Sequence, residues 1–408
     1  MDRVQADVER YLPELVAIRQ DLHAHPELGM EECRTATIVE SKLRQWGIEE
    51  VERIATTGVV ARIAGQRAGD RSVGLRADLD ALAVTEETGL AYASKHVGRM
   101  HACGHDGHTT MLLGAARYLS CNRDFAGTVN LIFQPAEEGR GGARAVIADG
   151  LFTRFPCSTI YGLHTMPDLP AGQFATREGA FFAAACPWRV TFHGSGGHGG
   201  AAPHKANDVM VVLGSFLQAL HTIVSRNIAP TDVAVLSVGY AVGGSSESPS
   251  VIPPDVVVGG TARCFSENVA NTLSRRLRQL ATACAQAHNC SADVEITWKA
   301  PALINHPREV EIAVTAATDV VGSHSVERHA DVLTAGEDFA EMLKIRPGAF
   351  VLVGNGKLQA GPPSGLHTPH FDFNDAIIPI GIAYWVAIVS RELGGVTSST
   401  SVHSRKGE

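Results

Sequence analysis

The sequence predicts an α/β protein of two domains, in which a smaller α+β domain is inserted into a larger one. Its 408 residues exceed the length of a typical single domain. Helical and strand-like segments alternate up to residue 179 and again from residue 298, which favours an α/β domain built from two stretches of the chain. The segments between them follow the order βαββαβ, which is typical of a compact, ferredoxin-like α+β domain.

Hydrophobic periodicity predicts the elements of the larger domain. Helical spacing in 12–22, 31–46, 109–120, 143–151, 310–321 and 376–393 predicts helices, and alternating or continuous apolar runs in 59–65, 72–82, 127–133, 158–163 and 349–353 predict strands. The inserted domain has the same two kinds of pattern. Its predicted strands are 181–192, 233–238, 256–265 and 293–298, and its predicted helices are 208–225 and 274–287. We expect 1–179 and 298–395 to form the larger domain, 180–297 the inserted domain, and 396–408 a flexible tail.

Composition and charge exclude several classes of partner. The formal net charge of −8 argues against nucleic acid or an anionic membrane, since phosphate neutralisation needs clustered Lys and Arg. The charged N-terminus has no apolar segment of the signal-peptide type. The longest apolar stretch, 376–389, contains Pro379 and Gly381 and predicts a buried helix rather than a membrane span. Eight scattered cysteines without a C-x-x-C pair indicate reduced thiols and a cytoplasmic location.

The stretch M-H-A-C-G-H-D-G-H-T-T, residues 100–110, has the composition of a metal site. Its side chains with metal-ligand chemistry are His101, Cys103, His105, Asp106 and His108. A thiolate, imidazoles and a carboxylate suit zinc and its first-row neighbours. Gly104 and Gly107 permit the tight turns that let such closely spaced side chains converge. The alternative is a set of surface histidines beside one buried cysteine.

Further candidate groups follow the predicted strands. Glu137 and Glu138 are adjacent after the strand at 127–133, so that one carboxylate could bind a metal while the other moves a proton. His164 stands where α/β sheets place ligands, at a strand's carboxyl end. Asp78 shares a strand face with Arg76 and Asp80, and we expect it to orient a ligand or base from behind the metals. A surface acidic pair and an exposed charged face are the alternatives.

Five motifs occur in one order along the chain, namely M-H-A-C-G-H-D-G-H, Q-P-A-E-E-G, G-L-H, G-G-H and L-H-T-P. In this order they resemble the M20 metallopeptidase family, and most closely its branch of aminoacylases, hippurate hydrolases and hydrolases of auxin–amino acid conjugates. The resemblance covers nearly the whole chain. It implies an α/β metallohydrolase catalytic domain, 1–179 and 298–395, with an α+β lid, 180–297, through which subunits dimerise.

The resemblance also implies a role for particular residues. The implied metal ligands are Cys103, His105, Glu138, His164 and His367. Glu137 matches the family's general base, and Asp78 matches the acidic residue behind the metals. His198 matches a lid histidine that reaches the active site of the partner subunit, and Arg263 matches an arginine that holds the substrate's carboxylate.

The implied activity is metal-dependent hydrolysis of N-acyl amino acids. Two divalent ions per subunit are expected, zinc or manganese, with cobalt or nickel as further options. The expected partners are the small-molecule substrate and a second copy of the chain, as a homodimer or a higher homo-oligomer. A dipeptidase or another exopeptidase would share the metal ligands, and a metal-dependent binding protein without turnover is the alternative outside enzymes.

The chain departs from the family pattern at several positions. Ser250 precedes Val251 where the family has Asn, and Ala83 stands where proline is common. The spacing from His198 to Pro203 is one residue longer than usual. His370 follows His367 by three residues. We expect His367 to be the ligand, while His370 could replace or assist it.

Overall fold

The computed structural model describes residues 2–356 and 365–395, which divide into two compact units. The first unit comprises Met1–Gly179, Ile304–Asp331 and the described part of Glu341–Glu408, and the second comprises Ala180–Leu303 and Val332–Ala340. The tail expected at 396–408 lies outside the described residues.

Helices and strands alternate through both units. The helices are α1 Asp2–Glu9, α2 Leu12–Ala24, α3 Cys33–Gln45, α4 His105–Cys121, α5 Gly142–Ala148, α6 Leu151–Arg154, α7 Val209–Leu220, α8 Thr222–Asn227, α9 Glu267–Gln286, α10 Pro307–Val321, α11 Ala340–Leu343 and α12 Ile378–Leu393. The strands are β1 Glu50–Ile54, β2 Gly58–Ala64, β3 Arg67–Asp78, β4 Ala126–Gln134, β5 Thr159–Met166, β6 Phe174–Ala175, β7 Gly179–Phe182, β8 Ala184–His193, β9 Gly197–His198, β10 Ala234–Val242, β11 Val251–Ile252, β12 Asp255–Cys264, β13 Ser291–Ile296, β14 Leu303–Asn305, β15 Val326–Glu327 and β16 Gly348–Gly354.

The first unit is built on an eight-stranded sheet with the order β1-β2-β4-β3-β5-β16-β6-β15. β3 pairs in parallel with β4 and β5, and β5 pairs in parallel with β16. The central strands β4, β5 and β16 are almost entirely buried, which explains their continuous apolar sequence. Because parallel strands end at the same edge of a sheet, the segments that follow β3, β4 and β5 are neighbours.

Helix α12 belongs to the core of this unit. Together with the short turn before it, α12 forms the helical segment Asp375–Leu393, the one among the described residues that is long and apolar enough to cross a membrane, but 72% of its apolar window is buried. α12 contacts α4 at a glycine: a Cβ added at Gly381 would lie 1.9 Å from the Sδ atom of Met111. The close packing explains why an apolar helix with a glycine in its first turns lies inside this unit.

The second unit confirms the predicted α+β architecture. Its elements follow the order β8, α7 and α8, β10, β12, α9, β13, and its antiparallel sheet has the order β10-β12-β8-β13. Phe192 on β8, Phe216 on α7 and Leu277 on α9 are buried in one hydrophobic cluster. The single helix expected at 208–225 is interrupted at His221, which separates α7 from α8.

The segment Val332–Ala340 groups with the second unit. The sequence analysis placed it in the second stretch of the larger domain, 298–395. Within Val332–Ala340, Leu333 exchanges backbone hydrogen bonds with β7 and the residue after it: its N–H donates to the Phe181 carbonyl at 2.8 Å, and its carbonyl accepts from the Ala183 amide at 2.9 Å. The bonds join backbone groups, so the pattern of side chains does not predict them.

Candidate metal centre

The loops at the carboxyl edge of the sheet gather most of the predicted site residues. Asp78 is the last residue of β3, His164 lies near the end of β5, and Glu137 and Glu138 follow β4. The turn before α4 brings Cys103 to the same place. The residues are far apart in sequence, and the parallel pairing of β3 with β4 and β5 brings them together.

Gly104 shapes the turn before α4. Its φ angle of 86° lies in the left-handed region, and an added Cβ would be 2.6 Å from Cγ2 of Thr165, so a larger residue would be both strained and crowded. This turn makes His105 the first residue of α4, four residues before the predicted helix start at 109. Cys103, 6% exposed, and the fully buried His105 therefore lie on the two sides of one tight turn.

The thiol of Cys103 lies close to two imidazole nitrogens, at separations typical of ligands of one ion. The Sγ atom of Cys103 lies 3.4 Å from Nε2 of His164 and 3.3 Å from Nε2 of His367. Metal–ligand distances of about 2.0–2.3 Å at a tetrahedral angle give separations of roughly 3.5 Å. Oε1 of Glu138 lies 3.2 Å from the same nitrogen of His367.

Two buried ligand atoms in this cluster lack a hydrogen-bond partner among the described residues. They are Nε2 of His105 and Oε1 of Glu138, which are 4.0 Å apart. A buried polar atom without a partner costs roughly 1–3 kcal/mol, and a divalent cation would satisfy both atoms at once. The residues present therefore fit a metal, as the donor set also indicates: Cys103, Glu138 and His367 form one group, and His105, Glu137 and Glu138 form another.

Hydrogen bonds to the other ring nitrogens direct the histidines into the cluster. Nδ1 of His164 donates to the carbonyl of Thr165 at 2.7 Å, which leaves the Nε2 lone pair for a metal. Nδ1 of His105 lies 3.3 Å from Oδ1 of Asp80. Burial lowers the pKa of His105, but the nearby Asp78 and Asp80 carboxylates outweigh it and raise that pKa to about 10. A metal bound at His105 would therefore displace a proton.

His108 lies in the same cluster but both of its ring nitrogens are occupied. Nδ1 donates to Oδ1 of Asp78 at 2.6 Å, and Nε2 accepts from the Thr165 amide at 2.9 Å. Asp78 also accepts from Nη1 of Arg76 at 2.8 Å. Although burial opposes it, the positive charges of His105 and Arg76 and the hydrogen bond from His108 hold the pKa of Asp78 well below its usual range. Asp78 therefore acts on the cluster mainly through His108.

Asp80 is the residue that the sequence analysis missed. Its Oδ1 accepts from the amide of Glu137 at 3.1 Å and its Oδ2 from the amide of Glu138 at 2.9 Å, while Oδ1 also contacts His105. We expected Asp78 to orient a predicted ligand, but the carboxylate closest to His105 is that of Asp80. The sequence signal was present, because alternate residues of D-L-D share a strand face.

Other predicted candidates lie apart from these groups. His370 contacts Glu87, with 3.7 Å between Nε2 and Oε2, and it belongs to none of the described ligand groups. His367, by contrast, belongs to one of these groups, and its backbone is constrained: its φ angle is 63°, and its amide donates to the Ala102 carbonyl at 2.7 Å. His101 is buried, and burial lowers its pKa to about 4.

The remaining two predicted site residues belong to the second unit. His198 on β9 is exposed, and its Nδ1 accepts from the amides of Gly200 and Ala201 at 3.2 and 3.1 Å. The proton of the neutral ring therefore lies on Nε2, which can donate. Arg263 on β12 donates through Nε to the Thr334 carbonyl at 3.0 Å and through Nη1 to Thr261. Their roles toward the metal centre stay predictions.

Comparison with known proteins identifies relatives of this chain. Residues 74–391 match the profile of peptidase family M20/M25/M40. A hippurate hydrolase of Campylobacter jejuni is 35% identical over 93% of this chain and 97% of its own, and an N-acetyl-L-cysteine deacetylase of Bacillus subtilis is 40% identical over 84% and 80%. The crystal structure of the Bacillus subtilis YXEP protein, titled a dinuclear metal binding peptidase from the M20 family, superposes with a TM-score of 0.79 at 30% identity, covering 93% of this chain and 98% of its own.

Cys103→Ala is expected to weaken metal binding by roughly tenfold or more, because the loss of a ligand exceeds the 10–100-fold effect typical of groups that merely orient ligands. Metal content after dialysis against a chelator measures the effect. Cys157→Ala is the matched control, since Cys157 is also buried but contacts Asn130 and the Phe155 carbonyl. Equal metal retention in the two variants would remove Cys103 from the ligand set.

Proposed function

Because the chain belongs to peptidase family M20/M25/M40, we propose that it is a metal-dependent amidohydrolase that cleaves N-acyl amino acids to a carboxylic acid and a free amino acid. The observation that supports this most directly is the pair Glu137-Glu138 beside the cysteine and histidine cluster. Glu138 has a buried oxygen that makes no hydrogen bond to the described residues, and Glu137 belongs with Glu138 and His105 to one potential ligand group.

The proposed ligands are Cys103, His105, Glu138, His164 and His367, which we assign to two divalent ions per subunit. Glu138 belongs to two of the potential ligand groups, one with Cys103 and His367 and the other with His105 and Glu137, and it would hold a metal together with either set. The thiolate favours zinc or manganese over magnesium, with cobalt and nickel as further options. Such ions supply Lewis acidity, which lowers the pKa of water to near neutrality.

Glu137 is the proposed general base. It takes the proton of the attacking water and later delivers it to the nitrogen of the leaving amino acid. Its backbone is fixed for this task, because Asp80 accepts from the amides of both Glu137 and Glu138. A protein that only binds the metal needs no second carboxylate, so this arrangement favours turnover.

His198 and Arg263 are the proposed recognition groups of the second unit. The Nε2 proton of His198 suits donation to the oxygen of the attacked carbonyl as negative charge develops there. Arg263 is proposed to bind the carboxylate of the amino-acid half. The names of the relatives support an amino acid as the half that Arg263 binds: one relative acts on hippurate and one on N-acetyl-L-cysteine, and both substrates are acylated amino acids.

We further propose a cytoplasmic homodimer, formed through the second unit, in which His198 serves the partner's active site. Strand β10 is at the edge of its sheet, and Val235, Tyr240 and Val242 on it are exposed. On α7, Met210 and Val211 are exposed as well. An unpaired strand edge beside exposed apolar residues suits pairing with a second copy.

Purified protein loaded with zinc or manganese is expected to hydrolyse N-acyl amino acids in preference to dipeptides.

Arg263→Ala should lower kcat/KM at least about tenfold for substrates with a free carboxylate and change little for amide-capped ones, because only the former pair with the guanidinium. Thermal unfolding supplies the control, since Arg263 also bonds to Thr334. Equal loss for both substrate kinds, with a lowered melting temperature, would mean that Arg263 supports the fold alone. In the comparison of substrates on the wild-type protein, a preference for dipeptides over N-acyl amino acids would identify an exopeptidase.

Glu137→Gln is expected to keep its metal and lose at least ~10²-fold in kcat, the usual worth of a general base. Glu138→Gln should instead lower metal affinity, because its carboxylate is a proposed ligand. Metal content and kcat at saturating metal separate the two effects. If both variants behaved alike, the division of roles within this pair would be wrong.

Glu137→Gln and His198→Ala are expected to complement each other in a mixed dimer. If each active site takes Glu137 from one subunit and His198 from the other, one site of the mixed dimer contains both defects and the other contains neither. Refolding the two inactive variants together should recover up to about half the wild-type rate per mixed dimer. Mixed dimers confirmed by mass but without activity would show that His198 does not serve its partner.

A further inference from the structure

A fully buried carboxylate, Glu32, reaches the loop of the proposed base from another part of the first unit. Glu32 precedes α3, is 0% exposed, and makes no side-chain cap to that helix. Its Oε1 accepts from the amide of Ala136 at 2.7 Å, and its Oε2 accepts from the hydroxyl of Thr57 at 2.7 Å. Burial raises its pKa, against the hydrogen bonds from Thr57 and Ala136 that lower it.

Another glutamate caps the helix in its place. The two oxygens of Glu27 accept from the amides of Arg34 and Thr35, at 3.0 and 2.8 Å, in the first turn of α3. Two carboxylates at one helix start therefore have different partners: that of Glu27 binds the helix, and that of Glu32 binds the loop after β4. A carboxylate is costly to bury, so the placement of Glu32 on one loop amide and one hydroxyl needs an explanation beyond helix formation.

The partner of Glu32 has a strained backbone. Ala136 has a φ angle of 55°, in the left-handed region that residues other than glycine rarely adopt. Its amide bonds to Glu32, and its carbonyl accepts from Gly142 at 3.0 Å. The next two amides, of Glu137 and Glu138, bond to Asp80. Three consecutive amides thus donate to two buried carboxylates.

We propose that Glu32 is a positioning residue, which holds Ala136 in its left-handed conformation and thereby sets the direction of the Glu137 carboxylate. The inference rests on the proposed role of Glu137 as the general base. What matters is the acceptor at the Ala136 amide and not the charge. A glutamine at 32 can keep that acceptor and donate its amide group to the Thr57 hydroxyl, whereas a shorter or apolar side chain cannot.

The test compares variants at position 32 with a matched pair at position 27, at saturating metal, on the N-acyl amino acid that the wild type hydrolyses fastest. Glu32→Leu is expected to lower kcat roughly 10- to 100-fold with KM nearly unchanged, because a misplacement of about 1 Å has effects of this size. Glu32→Gln should stay within about threefold of the wild type. Glu27→Leu should lower the melting temperature without a selective loss of kcat, because it removes only the cap of α3.

Two further variants keep the test decisive. If Glu32→Leu does not fold, Glu32→Asp replaces it: the charge remains, the acceptor is withdrawn by one methylene, and kcat should still fall. In the double variant Glu32→Leu/Ala136→Gly, glycine adopts a positive φ without strain, so part of the lost kcat should return. The proposal would be overturned if Glu32→Leu and Glu27→Leu had equal kcat, or if kcat fell as far in Glu32→Gln as in Glu32→Leu.

A structural readout separates failure of this inference from failure of the proposed function. In the crystal structure of Glu32→Leu, residue 136 should leave the left-handed region. If its φ stays near the wild-type value, Glu32 does not hold the loop, whatever the activity. If φ changes but Glu137→Gln remains fully active, Glu32 holds the loop and the assignment of the base is wrong.

Discussion

The carboxylate of Asp80 is buried between the loop after β4 and the first turn of α4, and it contacts three residues of the candidate metal centre. Its two oxygens accept from the amides of Glu137 and Glu138, and one of them also contacts His105. A single side chain therefore fixes the relative position of a proposed ligand from α4 and the two glutamates. Because Asp80 follows β3, the parallel pairing of β3 with β4 brings it within reach.

So many buried carboxylates in one place require positive charge. Arg76 bonds to Asp78, and the neighbouring carboxylates raise the pKa of His105, so the guanidinium and a proton supply part of that charge. The pKa of the Cys103 thiol moves in the same direction, because burial and the nearby Glu138 and Glu137 carboxylates raise it well above its usual range. A divalent cation bound by both groups would have to displace their protons, so its affinity would fall as the pH falls.

Local sequence predicted the fold class and the metal-binding stretch, because periodicity and ligand chemistry are local properties. It assigned the orienting role to Asp78, whereas Asp80, two residues beyond the end of β3, contacts His105 at closer range, and the pattern does not show where that strand ends. The start of α4 at His105 depends on a contact between Gly104 and Thr165 that no pattern shows. Glu32 lies at the start of the helix predicted at 31–46, and local sequence does not show its bond to Ala136, which is 104 positions away in the chain.

The division into two units also divides the chemistry. The proposed ligands, the base and both carboxylates that hold its loop belong to the first unit, whereas His198 and Arg263 belong to the second. Within the second unit, Arg263 bonds to Thr334, in a segment that returns to this unit after the chain has re-entered the first. A substitution in 332–340 can therefore act on the proposed carboxylate-binding arginine without touching a metal ligand. Substrate preference can change in this way while the metal centre stays intact, because the two depend on separate hydrophobic cores.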